Sequence, residues 1–341
     1  MKVLLLTDAN HFEYTEMPEP NAGAEDVLIR VEAVGICGSD VHGMNGKTGR
    51  RIPPIVMGHE AAGVIVKTGT RVRGFAVGDR VTFDSTVYCN ACEYCRSGRI
   101  NLCSSRRVLG VSCAEYRQHG AMAERVAVPQ HILYHLPDQV SFEEAAMIEP
   151  VSVAFHAVRR ARIRLGESVA VFGCGIIGLL IVRALRLAGC GKLYAVDVNP
   201  ARLEAAREMG ADVLMDSSRE DPVQSIRAGG EGVEAGFEAV GITPTVQAAT
   251  ESVRKGGRLV LVGNISPEVT LGLQSVVTRE IDVLGSCASS GEYPAILEAI
   301  AAGRLSLGRL ISARAPLSEG AEWFRRLAAL EGSLLKVILK P

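Results

Sequence analysis

Ser168-Val169-Ala170-Val171-Phe172-Gly173-Cys174-Gly175-Ile176-Ile177-Gly178 runs from a short apolar strand, through a glycine-spaced corner, into an apolar helix pattern. Each glycine has its own reason. Gly173 permits the tight turn, Gly175 lets backbone approach a pyrophosphate, and Gly178 lets helix and strand pack closely, with the helix N-terminus facing the anion. The next apolar strand ends at Asp197, twenty-two residues past Gly175, where a carboxylate can accept ribose hydroxyls and repel a 2′-phosphate. The pattern predicts a dinucleotide site for NAD rather than NADP. Ile177 in the corner and the strand-end residues Val240, Val262 and Gly263 are expected to line it. Arg202 either flanks the adenine or is a solvated helix residue.

Outward from this corner, apolar runs at 168–172, 192–198, 211–215, 234–240 and 258–262 alternate with helical segments. Such alternation predicts a doubly wound parallel sheet. Upstream the texture changes: short strands at 3–6, 27–34, 80–83, 122–128 and 132–136 are separated by turn residues, which predicts a β-rich region. Ser141-Phe142-Glu143-Glu144 has capping-box spacing and opens helical residues through roughly Ala161. Downstream, a run at 281–286, helical patterns at 292–302 and 318–330, and a strand at 334–339 complete the chain; the last strand's neighbours cannot be read from the sequence.

At 341 residues the chain is long enough for two domains with separate cores. Lys and Arg number 37 against 38 Asp and Glu, which leaves no surplus charge to hold a phosphate backbone or an anionic membrane. Nucleic acid and membrane partners are therefore not expected, and no apolar run is long enough to cross a bilayer. Cys89-x2-Cys92-x2-Cys95-x7-Cys103 folds four thiolates into one loop, the spacing of a closed, structural zinc site. Clustered thiols suit a reducing compartment, so a cytoplasmic location is expected. Cys113, Cys174, Cys190 and Cys287 lack ligand spacing and read as small buried apolar residues.

A third constellation is dispersed: Gly35-Ile36-Cys37-Gly38-Ser39-Asp40-Val41-His42, then Gly58-His59-Glu60 with Gly63, Gly69 and Val72, then Glu149-Pro150. With these motifs in this order, the chain resembles the zinc-containing medium-chain alcohol and polyol dehydrogenases, and their sorbitol-like branch, along essentially its whole length. The resemblance implies a GroES-like catalytic domain over 1–153 carrying both zinc sites, a Rossmann NAD-binding domain over 154–289, and a C-terminal segment, 290–341, returning to the catalytic domain.

It further implies that Cys37 and His59 bind a catalytic zinc, with Glu60 and Glu149 as rival third ligands, one binding directly and the other holding water or exchanging during turnover. Two zinc ions per chain follow. Ser39 and His42 have the spacing of a hydroxyl-to-imidazole proton relay, though Ser39 could cap a helix and His42 could be merely exposed. Lys47, Arg50 and Arg51 are expected to face solvent. Sorbitol-type relatives place an arginine–aromatic pair after the last Rossmann strand, where this chain has Gly285-Ser286-Cys287-Ala288-Ser289-Ser290.

The expected activity is oxidation of a secondary alcohol, a polyol or sugar alcohol, with hydride transfer to NAD. Threonine or a phosphorylated polyol are the enzymatic alternatives. A non-catalytic NAD-binding protein is the rival class, which would not need Cys37, His59, Glu60 and Glu149 together. Family likeness also implies a homo-oligomer, dimer or tetramer, paired through the Rossmann sheet edge near Arg258 to Asn264.

Overall fold

A computed structural model describes residues 1–113, 116–332 and 334–341. The chain divides into two units: Met1–Glu149 with Ser290–Pro341, and Pro150–Ser289.

In the second unit, Val169–Phe172 is buried at every position, as a strand covered on both faces must be. Six parallel strands follow the order Val213–Asp216, Leu193–Asp197, Val169–Phe172, Val233–Glu238, Val253–Leu261, Asp282–Gly285. The chain starts in the middle, winds outward on one side, then returns to wind outward on the other. That reversal places the topological switch point between Val169–Phe172 and Val233–Glu238, where dinucleotide sites form in this architecture. The core packs Phe172, Tyr194, Val196, Met215, Ile226 and Leu259 among others. Arg258 lies on the penultimate strand, not at the edge expected from the sequence; the edge is Asp282–Gly285. The penultimate strand carries Arg254, Lys255 and Arg258 and is exposed over 254–256, so its polar texture resembles that of the exposed to half-buried strand outside it.

The first unit is built on a seven-stranded sheet whose centre is Glu60–Thr68 beside Asp26–Gly35. Lys336–Lys340, from the end of the chain, pairs antiparallel with Asp26–Gly35 and parallel with Ile311–Pro316. Apolar side chains of both chain segments, including Ile29, Val34, Ile65, Phe83, Phe324, Val337 and Leu339, share one core. Ser141 caps helix Phe142–Ala146 as its spacing requires, accepting from the Glu144 backbone N–H at 3.2 Å. The sequence reading passed over Glu60–Thr68, whose small residues Ala61, Ala62 and Gly63 give no alternation. Gly63 is required there, since a Cβ would stand 2.0 Å from the Arg30 carbonyl oxygen.

Candidate active site and metal centres

Strand Asp26–Gly35 ends one residue before Ile36, and Cys37 then N-caps helix Gly38–Gly43, its sulfur accepting from the Ser39 N–H at 3.4 Å and from Ser39 Oγ at 3.2 Å. Sheet register pairs Gly35 with Glu60, which delivers His59 and Glu60 to the same end of the sheet. The result is a cluster of Cys37, His59 and Glu60 whose ligand-type atoms all lie within 4.8 Å of one another. Both His59 and Glu60 are buried, and Glu60 Oε1, His59 Nδ1 and Asp40 Oδ2 make no hydrogen bond among the described residues. Nδ1 faces Asp40 Oδ2 at 3.5 Å, which leaves Nε2 to bind a metal in the usual carboxylate-oriented manner. A thiol, an imidazole and a carboxylate with an unsatisfied oxygen form a donor set that fits zinc.

Electrostatics at this site favour a cation. Burial pushes the Cys37 thiol well above its ordinary value, and Glu60, Asp40 and Glu149 push it further while Lys336 opposes them. The Glu149 carboxyl rises to about 7, first through burial, with His59 opposing and Glu60 and Asp84 adding to the rise. Glu149 accepts a hydrogen bond from Ser85 Oγ at 3.3 Å and lies outside the 4.8 Å cluster. A bound divalent ion would offset the acidic neighbours that add to the burial-driven rise of both groups.

Ser39 and His42 are both exposed on helix Gly38–Gly43, three residues apart and so on neighbouring positions of one helical face. Lys47 and Arg50 are exposed as expected, but Arg51 is buried. The sequence reading treated it as one more charged loop residue; its partner Asp40, eleven positions earlier and fully buried, is what overrides that preference.

The second cluster is Cys89, Cys92, Cys95 and Cys103, again with sulfurs within 4.8 Å. Cys92 Sγ lies 3.5 Å from Cys95 Sγ, and Cys89 Sγ lies 4.0 Å from it. Sulfurs about 2.3 Å from a tetrahedral zinc would stand about 3.8 Å apart. Backbone N–H groups of Ala91 and Cys92 donate to Cys89 Sγ at 3.5 and 3.4 Å, and that of Cys89 to Cys103 Sγ at 3.3 Å, an orientation that suits thiolates. Among the remaining cysteines, Cys174 and Cys190 are buried as expected, whereas Cys287 is exposed, because it lies in the turn-rich stretch after Asp282–Gly285. The side chain of Cys113 lies outside the described residues.

In the second unit, Gly173 takes a φ of +93°, and a Cβ on Gly178 would stand 1.8 Å from the Gly173 carbonyl oxygen. Around Gly175, by contrast, a Cβ would meet nothing within 4 Å, so the corner is an open cradle ahead of helix Ile176–Leu187. Asp197 ends its strand, accepting from the Cys174 N–H at 2.6 Å and the Asn199 N–H at 2.9 Å, while Arg202 sits half-buried in the next helix. Val240, Val262 and Gly263 follow the ends of two further strands. All lie at the carboxyl end of the parallel sheet, where dinucleotides bind in this architecture.

Three contributors were missed in the sequence. Glu238, fully buried, accepts from the N–H groups of Val240 and Gly241 at 3.0 and 2.8 Å and from Thr245 Oγ1 at 2.6 Å, fixing the loop that carries Val240. Asp40 Oδ2 faces His59 Nδ1 at 3.5 Å, and Lys336 donates to Glu60 Oε2 at 2.6 Å. A lysine at the head of the apolar run Lys336-Val337-Ile338-Leu339 was the available signal for the last of these.

Comparison with known proteins identifies the family. Residues 23–138 match the family described as "Alcohol dehydrogenase GroES-like domain", and 177–302 match "Zinc-binding dehydrogenase". The sorbitol dehydrogenase of Bacillus subtilis (strain 168) is 34% identical over 347 residues, covering 100% of this chain and 97% of that protein. The L-idonate 5-dehydrogenase of Vitis vinifera is 36% identical over 331 residues, covering 94% of this chain and 89% of that protein. The crystal structure of galactitol-1-phosphate dehydrogenase from Escherichia coli superposes with a TM-score of 0.92 at 27% identity, covering 100% of both chains.

Proposed function

We infer the reaction from one premise: the chain belongs to the zinc-containing medium-chain alcohol and polyol dehydrogenases, and it is an enzyme that oxidises a secondary alcohol to a ketone. The substrate is a polyol or sugar alcohol, and the hydride acceptor is NAD. The observation that carries this reading is the cluster of Cys37, His59 and Glu60 in a chain that also bears the Gly173–Gly178 cradle and Asp197. When bound, zinc supplies Lewis acidity toward the substrate hydroxyl, and NAD supplies the hydride acceptor.

The chain's own residues then have separate tasks. Cys37 and His59 hold the catalytic metal. Glu60 is the third ligand on this reading, through the Oε1 that has no other partner, while Lys336 retains Oε2. Glu149 stands back from the cluster as an acid–base group. Ser39 relays the proton of the substrate hydroxyl: Oγ accepts it as its own hydroxyl hydrogen moves on to the exposed His42 imidazole, which releases a proton to water. Cys89, Cys92, Cys95 and Cys103 hold a second, structural zinc.

An unphosphorylated polyol is favoured, since Arg51 is already committed to Asp40. A phosphorylated polyol is the second reading, carried by exposed Lys47 and Arg50 on the loop after the helix of Ser39. No helix among the described residues is long and apolar enough to cross a membrane. Two thiolate metal sites suit the reducing cytoplasm. Homo-oligomers would form at strand edge Asp282–Gly285, near exposed Leu273 and Val277. NADH absorbance with matched panels of free and phosphorylated polyols tests the assignment: turnover of free polyols is expected, and turnover of neither panel would overturn it.

A further inference from the structure

Arg51 has no task in the proposed reaction, yet it is buried against helix Gly38–Gly43, with 3% of its surface exposed. Its Nε donates to Asp40 Oδ1 at 2.8 Å, and its Nη2 approaches the same oxygen at 2.6 Å. Nη2 also donates to Ser39 Oγ at 3.2 Å, and Nη1 to the carbonyl oxygen of Arg50 at 3.1 Å. The fold makes room for this path: a Cβ on Gly43 would stand 2.6 Å from Arg51 Cγ. The other oxygen of Asp40 faces His59 Nδ1 at 3.5 Å. One guanidinium thus touches both the carboxylate that orients a metal-binding histidine and the hydroxyl assigned to the proton path.

We propose that Arg51 is a positioning residue for the dehydrogenase reaction, holding the Asp40–His59 pair and the Ser39 hydroxyl in one fixed arrangement. The proposal rests on the reading above, in which His59 binds zinc and Ser39 receives the substrate proton. A serine hydroxyl has a single hydrogen and two acceptor sites. With one acceptor site filled by Arg51, the hydroxyl hydrogen is turned away from the guanidinium, and it points here toward Cys37 Sγ at 3.2 Å. Without Arg51, Ser39 Oγ would keep, among the described residues, only its contact with Cys37 Sγ. Asp40, for its part, keeps a fixed carboxylate plane only while its other oxygen is clamped. A planar fork of donors does both tasks at once; a lysine ammonium is a point charge on a flexible stem and does not. Burying such a pair is a poor route to stability compared with apolar packing, so its retention is better explained by the geometry it imposes.

The test uses zinc-loaded, full-length Arg51→Ala and Arg51→Lys, with the polyol that the parent turns over best. Arg51→Ala is expected to lower kcat about 100-fold with KM within a few-fold, and to release its catalytic zinc to a chelator about 10- to 100-fold faster, the usual effect of losing a partner of a metal ligand. The four-cysteine zinc should leave at its parental rate and serves as the internal reference. Free guanidinium ion should restore part of kcat in Arg51→Ala, and sodium at equal ionic strength should not. Arg51→Lys should keep the slow zinc release through charge pairing with Asp40 while retaining the kcat defect, and it carries the test if Arg51→Ala does not fold. Parental kcat and parental zinc release in a folded variant would overturn the proposal. So would a kcat loss that guanidinium does not relieve and that leaves zinc release unchanged. A parent with zinc at this site but no turnover of any alcohol would instead fail the functional reading, leaving the zinc-release comparison to judge Arg51 alone. A parent with no zinc at the site would overturn both.

Discussion

Lys336 Nζ donates to Glu60 Oε2 at 2.6 Å across 276 positions of sequence, and neither side chain is more than 1% exposed. The same ammonium donates to the Ile36 carbonyl oxygen at 3.1 Å, immediately before Cys37. Removing one partner of a buried pair strands the other, at about 3–5 kcal/mol. Lys336→Met should therefore lower stability by that amount in urea unfolding, and adding Glu60→Gln should recover much of it. A single variant as stable as the parent would show that Glu60 does not depend on this cation.

Metal analysis should return two zinc ions per chain, one for each cluster. The two sites should fail differently. Cys95→Ser removes a ligand from a closed site and should lower the melting temperature more than it lowers turnover, whereas Cys37→Ser should keep the fold and lose turnover. Equal loss of melting temperature in both variants would contradict the division of roles.

Asp197 should make NAD the preferred coenzyme by roughly 100-fold in kcat/KM, since a like charge beside the 2′-phosphate costs several kcal/mol. Asp197→Ser should narrow that gap. Because the carboxylate also accepts from Cys174 and Asn199 N–H groups, the variant should bind NAD less well in addition to tolerating NADP better. Similar kcat/KM for both coenzymes in the parent would refute the assignment.

Proton removal divides two routes. If Ser39 and His42 carry the proton outward, kcat should rise with pH to a plateau. His42→Ala should then depress kcat chiefly at low pH, and Ser39→Ala, nearest the substrate oxygen, should be the more severe change. If Glu149 is the route, Glu149→Gln should show the larger loss and both relay variants should keep near-parental profiles. Rates measured against pH for the three variants decide between them.

His131 sits with its ring edge-on to Tyr88 at 4.8 Å, its Nε2 3.0 Å from the Tyr88 carbonyl oxygen. Burial lowers its pKa from 6.5, with the Tyr88 carbonyl partly opposing, and burial alone lowers that of His119. Above 6.5 both residues are neutral, folded or unfolded, and contribute no pH dependence. Below it the unfolded chain takes up protons first, so stability falls as pH drops toward the folded-state values. His131→Gln should flatten this acid-side slope relative to the parent in urea unfolding. Parallel slopes would rule His131 out.

The four-cysteine cluster and the dinucleotide corner were legible because each depends on residue types at short spacing, four cysteines within fifteen positions or glycines bounded by a strand and a helix, whereas the dispersed Cys37, His59 and Glu60 were reached only through family likeness. Asp40, Arg51 and Lys336 were not legible, because their significance arises from burial. Arg51 stands in a polar loop and reads as solvated until Asp40 is seen beneath it. Strand Glu60–Thr68 lacked alternation because small residues pack it between two neighbours. The partner of the last strand was beyond reach for a related reason, since pairing between distant segments leaves no periodic trace in either one.

That last strand also sets an order of events during synthesis. Lys336–Lys340 fills the place beside Asp26–Gly35, so the nascent first unit stays incomplete until that strand clears the ribosome, by which time 150–289 has long emerged. The embedded unit, continuous in sequence, is free to mature first. Glu60 meanwhile waits without its lysine, so truncation before Lys336 would remove a sheet strand and a charge partner together.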